Sequence, residues 1–172
     1  NSDVREYPLG KSEKLIESIA NYVNLPKQMV GIGNGSDQIL DIILSNFASK
    51  KTKILTSNPT FGFFEERCKL YGIPTIKIPF TKNMTLDMED FLSKSKQADI
   101  LYLDSPNNPT GFQFKKDEIT KLIQKFDGIV VIDEAYGEFS DYSVVSLTKK
   151  FENLIVVKTF SKTFGLAGLR LG

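Results

Sequence analysis

The sequence predicts an α/β domain built on a mostly parallel sheet. Three observations carry that reading. Short apolar runs alternate with helical patterns along the chain. No internal repeat, low-complexity tract or Pro/Gly/Ser-rich linker interrupts the alternation, so one domain is expected. The unusual polar clusters each follow an apolar run, and sheets of this kind place their ligands beyond the carboxyl ends of the strands.

The elements follow in chain order. Ser12 to Tyr22 has helical spacing at Leu15, Ile16, Ile19, Ala20 and Val23, with Ser12 placed to cap it. Met29-Val30-Gly31-Ile32 is a short apolar run that enters Gly33-Asn34-Gly35-Ser36-Asp37. A second helix then carries a wide apolar face of Ile39, Leu40, Ile42, Ile43, Leu44 and Phe47. Lys53 to Thr56 reads as a strand, Ser57-Asn58-Pro59-Thr60 as a turn, and Phe61 to Tyr71 as a helix stopped by Gly72. A strand at Thr75–Ile78 and a helix at Leu86–Leu92 come next. Ala98 to Leu103 is a buried-type strand running into Asp104-Ser105-Pro106-Asn107-Asn108-Pro109-Thr110-Gly111. Asp117 to Phe126 is an amphipathic helix, Ile129–Ile132 the most apolar strand, and Leu154–Val157 the last one.

Composition narrows the function. A chain of 172 residues can bury one core of ordinary size. A net charge of +1, with 22 scattered basic residues, offers no patch for nucleic acid or an anionic membrane surface. The absence of histidine removes His-based triads and histidine-containing zinc sites, and no metal is expected. The single Cys68 rules out an internal disulfide framework and points to a reducing, cytoplasmic setting, with a buried structural thiol its expected state. No apolar run approaches the ~20 residues of a membrane span, and the first residues do not read as a signal peptide.

The polar clusters carry the chemistry. Near the C-terminus, a strand ends at about Lys158 and a turn presents Thr159, Ser161 and Lys162, with Arg170 following a glycine-studded segment. Two hydroxyls and a guanidinium fork suit a phosphate, and a desolvated lysine amine beside them suits an aldehyde cofactor; the alternative is a surface loop whose lysine and arginine are solvated. Gly33-Asn34-Gly35-Ser36-Asp37 opens a helix and reads either as a second phosphate cradle or as an ordinary cap at Ser36 or Asp37. Its glycine spacing, and a following strand that ends in Thr56-Ser57, exclude a dinucleotide fingerprint. Asp133, after four apolar residues, should be buried. It could partner a protonated pyridine nitrogen, or be tied to backbone amides or a lysine. Tyr136 could offer its hydroxyl to a ring oxygen or simply pack. In the proline-rich loop, the Asn108 amide could donate to a phenolate oxygen, or the segment could be a turn with no ligand; a cis Asn108–Pro109 bond is compatible with the sequence. Phe61 could stack on a planar ring or belong to the core with Phe63 and Phe64.

Together these motifs resemble the fold-type I pyridoxal-phosphate (PLP) enzymes, and within them the class II aminotransferases of the histidinol-phosphate group. The segments that carry the likeness are Gly33–Asp37, Asn58–Phe61, Ser105–Gly111, Asp133–Tyr136 and Phe160–Arg170, in the family's order and across nearly the whole chain. The resemblance implies a three-layer α/β/α large domain that binds PLP. It implies that Lys162 forms the Schiff base and shuttles the proton, that Asp133 pairs with the ring nitrogen, and that Asn108 and Tyr136 contact the phenolic oxygen. Ser36 and Asp37 (through backbone amides), Thr159, Ser161 and Arg170 would hold the phosphate. Phe61 stands where the family often has Tyr, so an aromatic ring is there to stack but brings no hydroxyl. Tyr7, in Glu6-Tyr7-Pro8, is similar to the tyrosine that reaches a partner subunit's cofactor, which implies a homodimer.

The implied reaction is transamination between histidinol phosphate and 2-oxoglutarate in histidine biosynthesis. An aromatic amino acid substrate, or decarboxylation of threonine phosphate, would use the same cofactor residues. A truncated cofactor-binding domain without activity is the non-enzymatic alternative. Relatives carry an N-terminal segment and a small C-terminal domain beyond these motifs. The expectation is therefore a large domain over residues 1–172, with weak or no activity by itself.

Overall fold

Ile100–Asp104 is buried along its full length, as a central parallel strand must be when helices cover both of its faces. It is β3 of a sheet in the computed structural model, which describes residues 12–172. The other strands are β1 (Ile54–Asn58), β2 (Thr75–Pro79), β4 (Ile129–Asp133) and β5 (Leu154–Val157). All neighbours are parallel, in the order β2-β1-β3-β4-β5. Direction along the sheet reverses between β1 and β3, and such a switch point leaves a crevice beyond the strands' carboxyl ends.

The backbone divides into two compact units, Asn1–Ile32 and Gly33–Gly172. In the first, α1 (Glu13–Val23) ends at Asn24, whose left-handed backbone sends its N–H back to the helix carbonyls. Ser12 occupies the N-cap position with no side-chain capping bond. Of the expected apolar face, Leu15 is exposed and Ala20 buried. The run beginning at Met29 forms no strand: Lys27–Met29 is a short 3-10 helix.

In the second unit, alternation along the strands separates two cores. Leu55, Leu101, Leu103, Val130 and Ile132 join Phe91 of α4 (Met88–Lys94) and Ile119, Leu122 and Ile123 of α5 (Lys116–Lys125). On the opposite face, Ile54, Ile100, Tyr102 and Val131 meet Leu40, Ile43 and Leu44 of α2 (Gly35–Phe47) and Phe64 and Cys68 of α3 (Gly62–Tyr71). This is the three-layer α/β/α arrangement.

Most expected elements form within a residue or two of their sequence bounds. Gly72 stops α3 with a φ of 66°, a backbone that glycine adopts without a Cβ penalty. The wide apolar face of α2 is only partly used, since Ile42 and Phe47 stay 46% and 52% exposed. Cys68 is buried at 1% exposure, as the composition suggested.

Candidate active site

Parallel pairing sets Asp104 beside Asp133 at the carboxyl ends of β3 and β4. Both are buried, and both border a cleft open to solvent. Asp104, Pro106 and Ala135 line it without having been singled out from the sequence. Ten residues that were singled out also line it: Ser36, Asp37, Phe61, Asn108 and Asp133, together with Tyr136, Thr159, Ser161, Lys162 and Arg170. Tyr7 lies outside the described residues.

One end of the cavity is rich in anion donors. Asn34 stands at the N-cap of α2 and makes no side-chain cap, so Ser36 and Asp37 belong to the first turn and neither is the cap. Arg170 donates from Nη2 to Asp37 Oδ2 at 3.2 Å. It can come this close because Gly35 has no side chain: a Cβ there would sit 2.8 Å from Arg170 Nη2. Thr159 is buried, and its hydroxyl accepts from the Ser161 N–H at 3.2 Å. The turn that carries the lysine is thereby folded on itself. Hydroxyls, first-turn amides and a guanidinium at one place are the donor types that suit a phosphate.

Two acids belong to the cavity's lining. Asp133 Oδ1 accepts from the Ala135 N–H at 2.9 Å, and Oδ2 accepts from the Tyr102 hydroxyl at 3.0 Å. Neither bond comes from a lysine. Burial pushes the Asp133 carboxyl up to about 7, against the pull of those two hydrogen bonds. Burial likewise raises Asp104, whose oxygens accept from the Thr60 hydroxyl, the Asn107 amide and the Asn108 N–H.

The two neighbouring asparagines have separate duties. Asn107 is buried and spends its side chain on Asp104, the Pro59 carbonyl and the Thr110 hydroxyl. Asn108 uses its backbone to bond Asp104 and borders the cavity. The Asn108–Pro109 bond is cis, as are Asn58–Pro59 and Ser105–Pro106. Phe61 precedes α3 as its N-cap residue; it packs partly on the core and 5.9 Å from Phe63 while bordering the cavity. One position therefore serves both the core and the cavity wall.

The lysines behave in opposite ways. Lys162 is exposed rather than desolvated, and its Nζ stands 5.6 Å from the Tyr136 ring centroid. Lys158 is held between Glu134 Oε2 at 3.1 Å and Glu138 Oε1 at 2.9 Å. Glu134 also accepts from the Ser143 hydroxyl and the Val144 N–H. This cluster ties the turn after β4 to the end of β5, and sequence reading passed over it. Its signal was the pairing of two acids and a lysine next to motif residues.

The family model described as "Aminotransferase class I and II" matches residues 1–172. The chain belongs to this family. A histidinol-phosphate aminotransferase of Pyrococcus furiosus is 38% identical over 170 residues, covering 99% of this chain and 49% of the relative. The crystal structure of histidinol-phosphate aminotransferase from Clostridium acetobutylicum matches with a TM-score of 0.87 at 30% identity, over 97% of this chain and 50% of that one. The Sinorhizobium meliloti enzyme, solved in complex with pyridoxal-5'-phosphate, gives a TM-score of 0.87 at 26% identity, over 98% and 48% of the two chains. The chain thus spans about half the length of the relatives it matches. Among the described residues, no helix is long and apolar enough to cross a membrane, and no acidic or thiol cluster could hold a metal.

Proposed function

We propose that this chain is the PLP-binding part of an aminotransferase that moves an amino group from histidinol phosphate to 2-oxoglutarate, in histidine biosynthesis. The observation that carries the reading is one cavity with three chemically different parts. An amine lies at Lys162, a buried carboxyl at Asp133, and a phosphate-type donor set at Ser36, Asp37, Thr159, Ser161 and Arg170. The fit to PLP rests on how Asp133 is bonded. Its oxygens meet an amide and a phenol, both neutral, while the side chain is held at 3% exposure. A protonated ring nitrogen would supply the cation that a buried carboxylate calls for.

Bound PLP supplies a conjugated ring that takes up the electron pair left when the amine-bearing carbon of the substrate loses its proton. The chain's own residues do the rest. Lys162 is the amine that holds the cofactor and, once released, carries the substrate's proton from carbon. Lys158 is unsuited to that duty because two carboxylates hold its amine. Asp133 would keep a ring nitrogen charged, and Asn108, Tyr136 and Phe61, which border the same cavity, would hold the rest of the ring.

The shared name of the relatives supports histidinol phosphate over an aromatic amino acid or threonine phosphate, which the cavity residues do not discriminate. A homodimer that brings Tyr7 to a partner's cofactor, and a cytoplasmic location, belong to the same reading. The test is reconstitution of the purified protein with PLP, followed by borohydride reduction and peptide mapping. A visible absorption band and a reduced adduct on Lys162, both lost in Lys162→Ala, are expected. A chain that gives neither band nor adduct overturns the cofactor reading. Turnover of the full-length enzyme with histidinol phosphate, compared with phenylalanine and threonine phosphate, then decides the substrate.

A further inference from the structure

We propose that Tyr102 is a positioning residue for Asp133: its hydroxyl holds the carboxylate in the orientation that meets the cofactor ring. The inference rests on the PLP reading above. Strand alternation puts Tyr102 and Asp104 on one face of β3, and the parallel register pairs Tyr102 with Val131 and Asp104 with Asp133. Tyr102 therefore lies one strand over and one pleat deeper than Asp133, beneath the cavity. Its hydroxyl reaches back to Asp133 Oδ2 at 3.0 Å.

The ring that carries this hydroxyl is locked. Tyr102 is 0% exposed and stacks on Phe64 of α3 with centroids 3.6 Å apart and planes 12° from parallel. The other carboxylate oxygen, Oδ1, is taken by the Ala135 N–H. Asp133 is thus tethered through both oxygens, by a side chain of β3 and by the backbone after β4. Two tethers on different elements fix the torsion of a short carboxylate side chain, whereas one would leave it free to turn. Burial and the nearby carboxylates hold the phenol well above its ordinary range, so the hydroxyl remains a donor. A donor to a carboxylate favours its charged form, the form that a protonated ring nitrogen needs.

Tyr102→Phe keeps the ring and its stack on Phe64 and removes one hydroxyl. The experiment titrates PLP into the full-length protein and its Tyr102→Phe, Asp133→Ala and doubly substituted forms, recording affinity, the absorption band of the bound cofactor and the melting midpoint without cofactor. Tyr102→Phe should weaken PLP binding roughly tenfold, as loss of a hydrogen bond to a charged group does, and should shift the band. In the Asp133→Ala background, the same substitution should change neither. Wild-type affinity and an unshifted band in Tyr102→Phe overturn the proposal. So does an equal loss of affinity in both backgrounds, which would mark a role in packing alone. Failure of the unsubstituted protein to bind PLP is a separate result, and it removes the cofactor reading itself.

Discussion

Lys158 and Glu134 meet at 3.1 Å across the ends of β5 and β4, with the lysine side chain 18% exposed and the glutamate 3%. Burial pulls the lysine amine down, but Glu134 and Glu138 outweigh it and raise it above its ordinary 10.5. Removing one member leaves a buried charge without a partner. Lys158→Met should therefore destabilise the fold by about 3 kcal/mol, read by urea denaturation at pH 7. Because the folded value is the higher one, the lysine's contribution is complete below the unfolded value. It should fade as pH rises through the folded one.

Asp133 gives a pH dependence at the other end of the scale. Its folded value of about 7 lies above the ordinary 3.8, so between the two the folded chain keeps a proton that the unfolded chain has released. Stability of the cofactor-free chain should therefore fall as pH rises across that interval and level off above it. Asp133→Asn should remove part of the slope, gaining on the order of 1–3 kcal/mol at pH 8 relative to pH 4. Asp104, raised in the same direction, leaves a residual slope. Denaturant titrations at pH 4, 6 and 8 check this; parallel curves for both chains would exclude a perturbed Asp133.

Gly35 should not tolerate alanine. Its φ is +78°, and an added Cβ would meet Arg170 Nη2 at 2.8 Å. Gly35→Ala should cost about 1–2 kcal/mol of stability. It should also displace the guanidinium, so that inorganic phosphate binds more weakly to the substituted protein by calorimetry.

Cys68 should resist alkylation in the native protein. It is 1% exposed, and burial pushes its thiol up to about 12, so almost none is thiolate at neutral pH. Iodoacetamide labelling, followed by mass spectrometry across a urea series, should track global unfolding. Rapid labelling without denaturant would contradict the burial of α3.

The strands were legible because each is a short apolar run bounded by turn residues, and Gly72 could be assigned as a helix stop from backbone chemistry alone. The α2 face was over-read, since periodicity marks Ile42 and Phe47 as apolar without saying what covers them. The alternative of an N-cap at Ser36 or Asp37 does not hold, because α2 begins at Gly35 and Asn34 stands at its N-cap. For Lys162 the sequence left open either a desolvated amine or a solvated surface loop, and the folded chain leaves it exposed.

Residue order alone dictated the alternation of strands and helices, and it supplied an amine, a buried acid and phosphate donors after separate strands. These are local properties: hydrophobic period, turn chemistry and side-chain type. The packed chain was needed to show that Asn107 is spent on Asp104 while Asn108 borders the cavity, that Lys158 belongs to Glu134, and that Tyr102 holds Asp133. The Lys158–Glu134 and Tyr102–Asp133 relationships depend on the register of parallel strands joined by long crossovers, and register between such strands is fixed by packing across the sheet.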